Sequence, residues 1–141
     1  MEALKSPNEI ALQTALVDRL RREAPGRWKC IFLNCELRET PGGMSASGDL
    51  FAVTQSLFGS PKREQWVLGA DSLKIAFDLG RMVCSLTDQP HVTVDFIILK
   101  DGSYKSFPDF GPLRRLNGGD DFFRGKHKVY VEVEPLLKSI D

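Results

Sequence analysis

What this chain has little of rules out several classes of function. There is no excess charge of either sign: 19 Lys and Arg balance 19 Asp and Glu, for a formal net charge of zero. Nothing global therefore argues for a nucleic acid or an anionic membrane as partner. Long apolar runs are also missing. Stretches such as Phe96–Leu99 fall far short of the roughly 20 residues that a membrane-spanning helix needs. The first residues, MEALKSPNEIALQ, lack a basic segment followed by an apolar one, so no secretory leader is expected.

Metal ligands are scarce as well. The chain has 2 histidines and 3 cysteines, and no CxxC or HxxxH spacing. Cys30 and Cys35 fall at positions of opposite parity on one predicted strand, so they point to opposite faces and cannot share an ion. His91 and His127 open separate predicted strands. No metal site and no cofactor are expected. Cys30, Cys35 and Cys84 each sit in apolar surroundings and read as buried, reduced thiols, which suits a cytoplasmic protein.

What is present is a clear pattern of elements. The 141 residues, 42% of them hydrophobic, suit one domain with a real core. Ser6-Pro7-Asn8-Glu9 reads as a helix start, with Ser6 as cap, Pro7 at the first helical position and Glu9 closing a capping box. Ile10, Leu12, Leu16, Val17, Leu20 and Ala24 form its apolar stripe, and Pro25-Gly26 ends it. Trp28–Arg38 reads as a strand with Leu33, Cys35 and Leu37 inward and Asn34, Glu36 and Arg38 outward. Glu39–Gly48 is a loop by composition, Asp49–Ser56 a short strand, Phe58–Arg63 a turn and Glu64–Leu68 a strand around Trp66.

A second helix starts at Asp71 or Ser72 and buries Ile75, Ala76, Leu79, Met82, Val83 and Leu86. Gly80 weakens it by about 1 kcal/mol but allows close packing on the sheet. The segment HVTVDFIILKDGSYKSFPDF, from His91 to Phe110, then predicts a hairpin. Val92, Val94, Phe96 and Ile98 share one face, with Thr93 and Asp95 on the other. Asp101-Gly102 supplies the turn, and the second strand runs from Tyr104 until Pro108 stops it. Helical turns at Leu113–Leu116 and Asp120–Gly125 and a last strand at Lys128–Glu134 complete the reading. The fold expected is α+β: a single domain with an antiparallel sheet of about five or six strands and two main helices packed on one face.

Reactive chemistry has few candidates. A cysteine nucleophile needs an electropositive setting and a base, whereas Cys30 and Cys84 look like packing residues. A small metal-dependent nuclease would need converging acids; Glu9, Asp49 and Glu64 are the candidates, without the lysine such a site usually carries. Two basic clusters, Arg19, Arg21, Arg22, Arg27 and Lys29, and Arg114, Arg115, Arg124, Lys126 and Lys128 with interleaved aromatics, give nucleic-acid binding as an alternative. Solvated surface is the simpler account of both.

The order of elements resembles the YezG-type immunity proteins, which neutralise bacterial polymorphic toxins. The resemblance rests on IALQTALVDRLRREAPGRWKCIFLNCEL, Ile10–Leu37, where a helix and a short Pro-Gly turn lead into a tryptophan-opened strand. It rests also on VTVDFIILKDGSYKSFPDF, Val92–Phe110, a hairpin with a DG turn and an aromatic second strand. The segment Asp120–Glu134 matches more loosely. The resemblance implies a cytoplasmic antitoxin that binds a cognate toxin domain one to one and has no enzymatic activity of its own. It also implies partner-binding residues: Glu36, Glu39 and Asp49 at one strand end, with Asp109, Asp120 and Asp121 beside Phe122 as a second patch.

Overall fold

The computed structural model describes residues 6–55, 62–113 and 116. Within them the chain forms two helices and five strands in the order α1 (Pro7–Glu23), β1 (Trp28–Thr40), β2 (Gly43–Thr54), β3 (Lys62–Gln65), α2 (Ala70–Thr87), β4 (His91–Leu99) and β5 (Tyr104–Asp109). The strands form one antiparallel sheet in the order β3-β2-β1-β4-β5. This is the α+β architecture expected, with both helices on one face. The expected last strand Lys128–Glu134 and the turn at Asp120–Gly125 lie outside the described residues, as does part of the turn at Leu113–Leu116.

Helix α1 begins as its sequence dictates. The Ser6 hydroxyl accepts the Glu9 N–H at 3.1 Å, and Pro7 occupies the first turn, where no amide partner is lost. The Glu9 side chain does not reach back to close the box; it accepts from Gln13 Nε2 instead. Leu16, Val17 and Leu20 are buried as expected, but Ile10 is 47% exposed and Gln13 takes a buried place. Gln13 is tolerated there because the Tyr104 hydroxyl donates to its Oε1.

Helix α2 has no side-chain cap of its own, contrary to the expectation for Asp71 or Ser72. Its N-cap is Gly69, and the Glu23 carboxylate from the last turn of α1 accepts the Gly69 N–H and the Ser72 hydroxyl. Arg19 and Asp71 pair beside it. At the other end, Ser6 of the α1 cap meets the Met82 sulfur, so the two helices run antiparallel. Ala76, Leu79, Val83 and Cys84 pack inward, whereas Leu86 is 59% exposed, not buried. Gly80 does lie hard against the sheet: a Cβ built there would come within 2.7 Å of Leu37 Cδ1 and 3.1 Å of Leu37 Cβ.

The segment expected to be a loop, Glu39–Gly48, is largely strand. β1 continues to Thr40, and β2 starts at Gly43 after the two-residue turn Pro41-Gly42, in unbroken register from Thr40↔Gly43 to Cys30↔Val53. Gly43, at φ +132°, takes the turn geometry that a side chain would oppose. Met44 and Ala46 pack against the core, so the alternation was present but carried by small residues. β3 covers Lys62–Gln65, shifted toward the N-terminus from the span expected around Trp66.

β5 runs through Pro108 to Asp109, past the point where proline was expected to stop it. Leu99 N–H donates to Ser103 O beyond the Asp101-Gly102 turn, so Lys105, Phe107 and Asp109 direct their N–H groups toward β4. The nitrogen of Pro108 therefore faces the outer edge, where a missing donor breaks no ladder bond.

The helix-side core comprises Ile31, Leu33, Cys35 and Leu37 of β1, with Leu50, Ala52, Val92, Val94, Phe96 and Ile98 beside them. The opposite face of the sheet is also buried: Cys30, Phe32, Phe51, Val53 and Ile97 are all closed to solvent. The Phe32 and Phe51 rings pack with their centroids 5.0 Å apart and their planes tilted by 33°.

Two measurements check this packing. Gly80→Ala should gain about 1 kcal/mol of helix propensity yet destabilise by about 1–3 kcal/mol through overpacking on Leu37. Urea unfolding reads the sum, and in a Leu37→Ala background the added cost of Gly80→Ala should largely disappear. For Cys30, burial pushes the thiol from 9.0 up to about 11. The unfolded chain then loses its proton first, so stability is complete below about pH 9 and declines as pH rises toward 11. The denaturant midpoint should show this decline, and Cys30→Ser should flatten it.

Candidate protein-binding surface

The strand register decides which of the expected acidic residues share a surface. Asn34 lies between Asp49 on β2 and Asp95 on β4, and Glu36 lies between Ser47 and Thr93, with Asp109 next across on β5. Directly paired residues share a face, so Glu36, Asp49 and Asp109 all lie on the face away from the helices. Glu39 has the opposite parity and belongs to the helix side. Its carboxylate is one of two influences holding the Cys84 thiol above its usual range, after burial.

Glu36 is not a surface residue, contrary to the reading of it as outward and partner-binding. It is 2% exposed, and its Oε1 accepts the N–H of Leu116 at 3.0 Å. Arg38 donates to the carbonyl of the same residue. His91, opposite Arg38 on β4, lies 3.1 Å from the carbonyls of both Phe110 and Gly111. Three polar side chains thus fasten the chain that follows β5 across the second face of the sheet. Asn34 donates to the Asp95 carboxylate one row further in, with both residues closed to solvent. These contacts explain why Asn34, Glu36 and Asp95 are tolerated in buried strands.

The remaining expected site residues separate further. Asp49 and Asp109 are half-buried, and Asp109 accepts the Gly111 N–H at 2.8 Å. Glu39 is exposed, and its N–H donates to Pro90 O, which brings it to the corner where α2 ends and β4 begins. Asp120, Asp121 and Phe122 lie outside the described residues. One acidic residue of this corner was missed in the sequence: Asp88, exposed, in the left-handed conformation at φ 55° as the C-cap of α2. Its signal was its place in Thr87-Asp88-Gln89-Pro90, where aspartate accepts the backbone turn that ends a helix before proline.

Among the described residues the two ends of the sheet differ in their balance of charge, although neither is of one sign, since Arg38 stands beside Glu39 and Asp101 beside Lys100. Glu39, Asp88 and Asp109 gather at the end where β1 turns into β2 and β4 begins. Arg27, Lys29 and Lys100 gather at the other end, where β1 begins and β4 turns into β5. There Lys100 lies over the Trp28 ring, its Nζ 4.2 Å from the centroid. Arg21 of the first basic cluster reaches the Lys100 carbonyl, and Arg19 is paired with Asp71. The second basic cluster lies outside the described residues. Asp101, at the tip of the β4–β5 turn, accepts from the Ser103 hydroxyl and N–H, and these bonds hold its carboxyl below the usual range.

The nuclease alternative finds no geometry in its named residues. Glu9 stands on α1, on the helix side; Asp49 lies on the opposite face of the sheet; and Glu64 pairs with Ala52 at the edge, on the helix side. Among the described residues no three His, Cys, Asp or Glu side chains come together as ligands of an ion. No helix among them is long and apolar enough to cross a membrane. Compared with protein-family models and with curated proteins, the chain gives no match.

The role of Glu36 is open to direct measurement. Glu36→Ala should leave the half-buried Leu116 N–H without its acceptor and cost about 1 kcal/mol of stability. Glu36→Gln keeps an oxygen at that position and should retain most of it. Equal losses in the two variants, read by chemical unfolding, would assign the effect to charge instead of to the hydrogen bond.

Proposed function

We propose that this chain is an immunity protein of the YezG type. In this reading it is a non-enzymatic inhibitor that binds a cognate bacterial toxin domain one to one in the cytoplasm and covers its active site. The observation that carries the reading is the placement of charge: an otherwise neutral chain presents Glu39 and Asp88, both exposed, at one end of its sheet. A toxin that acts on nucleic acid carries a basic groove for its substrate, and an acidic strand end is complementary to such a groove. The order of elements adds support, with α1, a tryptophan opening β1, α2 and then a hairpin turning at Asp101-Gly102.

The contact residues of this proposal are Glu39 and Asp88, with Asp49 and Asp109 at its margin. Glu36 drops out because its carboxylate is committed to the Leu116 amide. The sheet carries Glu39, Asp49 and Asp109, and the end of α2 carries Asp88, so their backbones are placed before binding.

The test is made with the toxin encoded by the neighbouring gene. Co-expression should rescue cells from it, and the two proteins should copurify at equal stoichiometry. Glu39→Lys combined with Asp88→Asn should slow association by about tenfold at low salt and leave the unfolding midpoint unchanged. Asparagine keeps the left-handed cap at position 88 without the charge. Full rescue and unchanged association by the double variant would move the interface elsewhere. Turnover of nucleic acid by the isolated protein would overturn the reading.

A further inference from the structure

Among the described residues, the outer edge of β5 carries backbone groups that no strand uses. β5 is the last strand in the order β3-β2-β1-β4-β5, and no described residue pairs with its outer side. The Leu99–Ser103 bond beyond the turn, followed by the pairs Ile98↔Tyr104 and Ile97↔Lys105, fixes the alternation. Lys105, Phe107 and Asp109 give their N–H groups to β4, and Tyr104 and Ser106 direct theirs outward. Pro108, the next position of the outward set, has no N–H to offer.

We propose that this edge pairs with the same edge of a second copy, antiparallel about a two-fold axis at Ser106, so that the sheet continues across both chains. Three observations select this occupant and this register. Centred on Ser106, the two Ser106 residues exchange N–H and carbonyl, and each Tyr104 N–H reaches the Pro108 carbonyl of the other copy. Every outward donor of the strand is then satisfied, and the imide nitrogen of Pro108 falls where a donor is dispensable. The register centred on Lys105 would also satisfy both donors but would set Lys105 directly opposite Lys105 of the other copy, and the remaining shifts carry a donor past the end of the strand.

The second observation is the direction of the charge. Antiparallel pairing points the basic end of each copy toward the acidic end of the other, and because Lys29 and Glu39 stand on β1, two strands in from the edge, the charges that meet are those of β5 itself. Lys105 and Asp109 lie on one face of β5, so Lys105 comes within a diagonal step of the other copy's Asp109. A parallel arrangement would set like charges side by side. The third observation is the absence of net charge, so no overall repulsion opposes the approach of two copies. The contact is small, a short strand edge and its charges, so the pairing is reversible and sensitive to concentration and salt. It uses the edge of β5, sharing only Asp109 with the margin of the Glu39–Asp88 corner, and does not rest on the toxin reading.

Sedimentation equilibrium of the full chain tests it, from about 50 mM to about 500 mM salt. A monomer–dimer equilibrium is expected, weakening about tenfold or more over that range. Amide exchange gives the register: Tyr104 and Ser106 should gain protection as concentration rises, while Lys105, already bonded to β4, should not change. Ser106→Pro removes the central outward donors without touching a bond to β4, and Lys105→Glu sets like charges across the edge. Each should give a monomer with an unchanged far-ultraviolet circular dichroism spectrum. A monomer at every concentration, a dimer that survives Ser106→Pro in folded form, or growth beyond the dimer would each overturn the proposal. So would Tyr104 and Ser106 amides that become protected only when another protein is added. Toxin rescue by Ser106→Pro is a separate readout, so failure of one proposal is not mistaken for failure of the other.

Discussion

Strand β1 is the constraint on which the rest of the molecule depends. It is hydrogen-bonded to β2 on one side and to β4 on the other, and Cys30–Leu37 is shut off from solvent on both faces. A polar side chain in such a strand cannot turn to water, so its partners must come from the chain itself. Asn34 finds Asp95, and Glu36 and Arg38 find the N–H and the carbonyl of Leu116. These contacts fix register as well as satisfying burial. A slip of one residue would push Asn34 and Glu36 into the layer beneath the helices, among Leu79, Val83 and Phe96.

The arrangement of charge follows from the same frame. With the centre of the sheet closed, ionised groups that face solvent are left to the strand ends and the outer helix surfaces. The carboxylate of Glu23 is drawn to the start of α2, and Arg21 and Arg22 stand in the last turn of α1, each complementing a helix terminus. Arg27, Lys29 and Lys100 then form a basic end, opposite an acidic corner built on Glu39 and Asp88. The composition conceals this polarity, because equal numbers of each sign can be mixed or segregated.

Much of the fold was legible in the sequence because the periodic elements are long. Ser6-Pro7 and Asp101-Gly102 marked their boundaries through local chemistry, and both boundaries hold. Gly43–Gly48 was misread as a loop because glycine, serine and alanine carry little hydrophobic signal; pairing with β1 made it a strand. Pro108 was misread as a stop because the rule holds for inner strands and β5 lies at an edge. Asn34 and Glu36 were read as outward because alternation normally signals one wet face. Here the second face is closed, and residues far along the chain close it near Glu36. Of the expected binding residues, parity alone could have separated Glu36 from Glu39. Asp88 was hidden because a helix-ending aspartate has an adequate structural reason to be there.

The attachment of Glu23 to the start of α2 bears on how the molecule acquires its structure. An N-terminus with only Gly69 as its cap leaves amide donors open until another element supplies oxygen. That oxygen arrives on a helix 46 residues earlier in the chain, so α2 is completed by docking and not by its own sequence. Separation of the helices therefore unties the first turn of α2, and fraying of that turn loosens the hold on α1. The helical layer should gain and lose order as one cooperative unit, with the carboxylate of Glu23 as its latch.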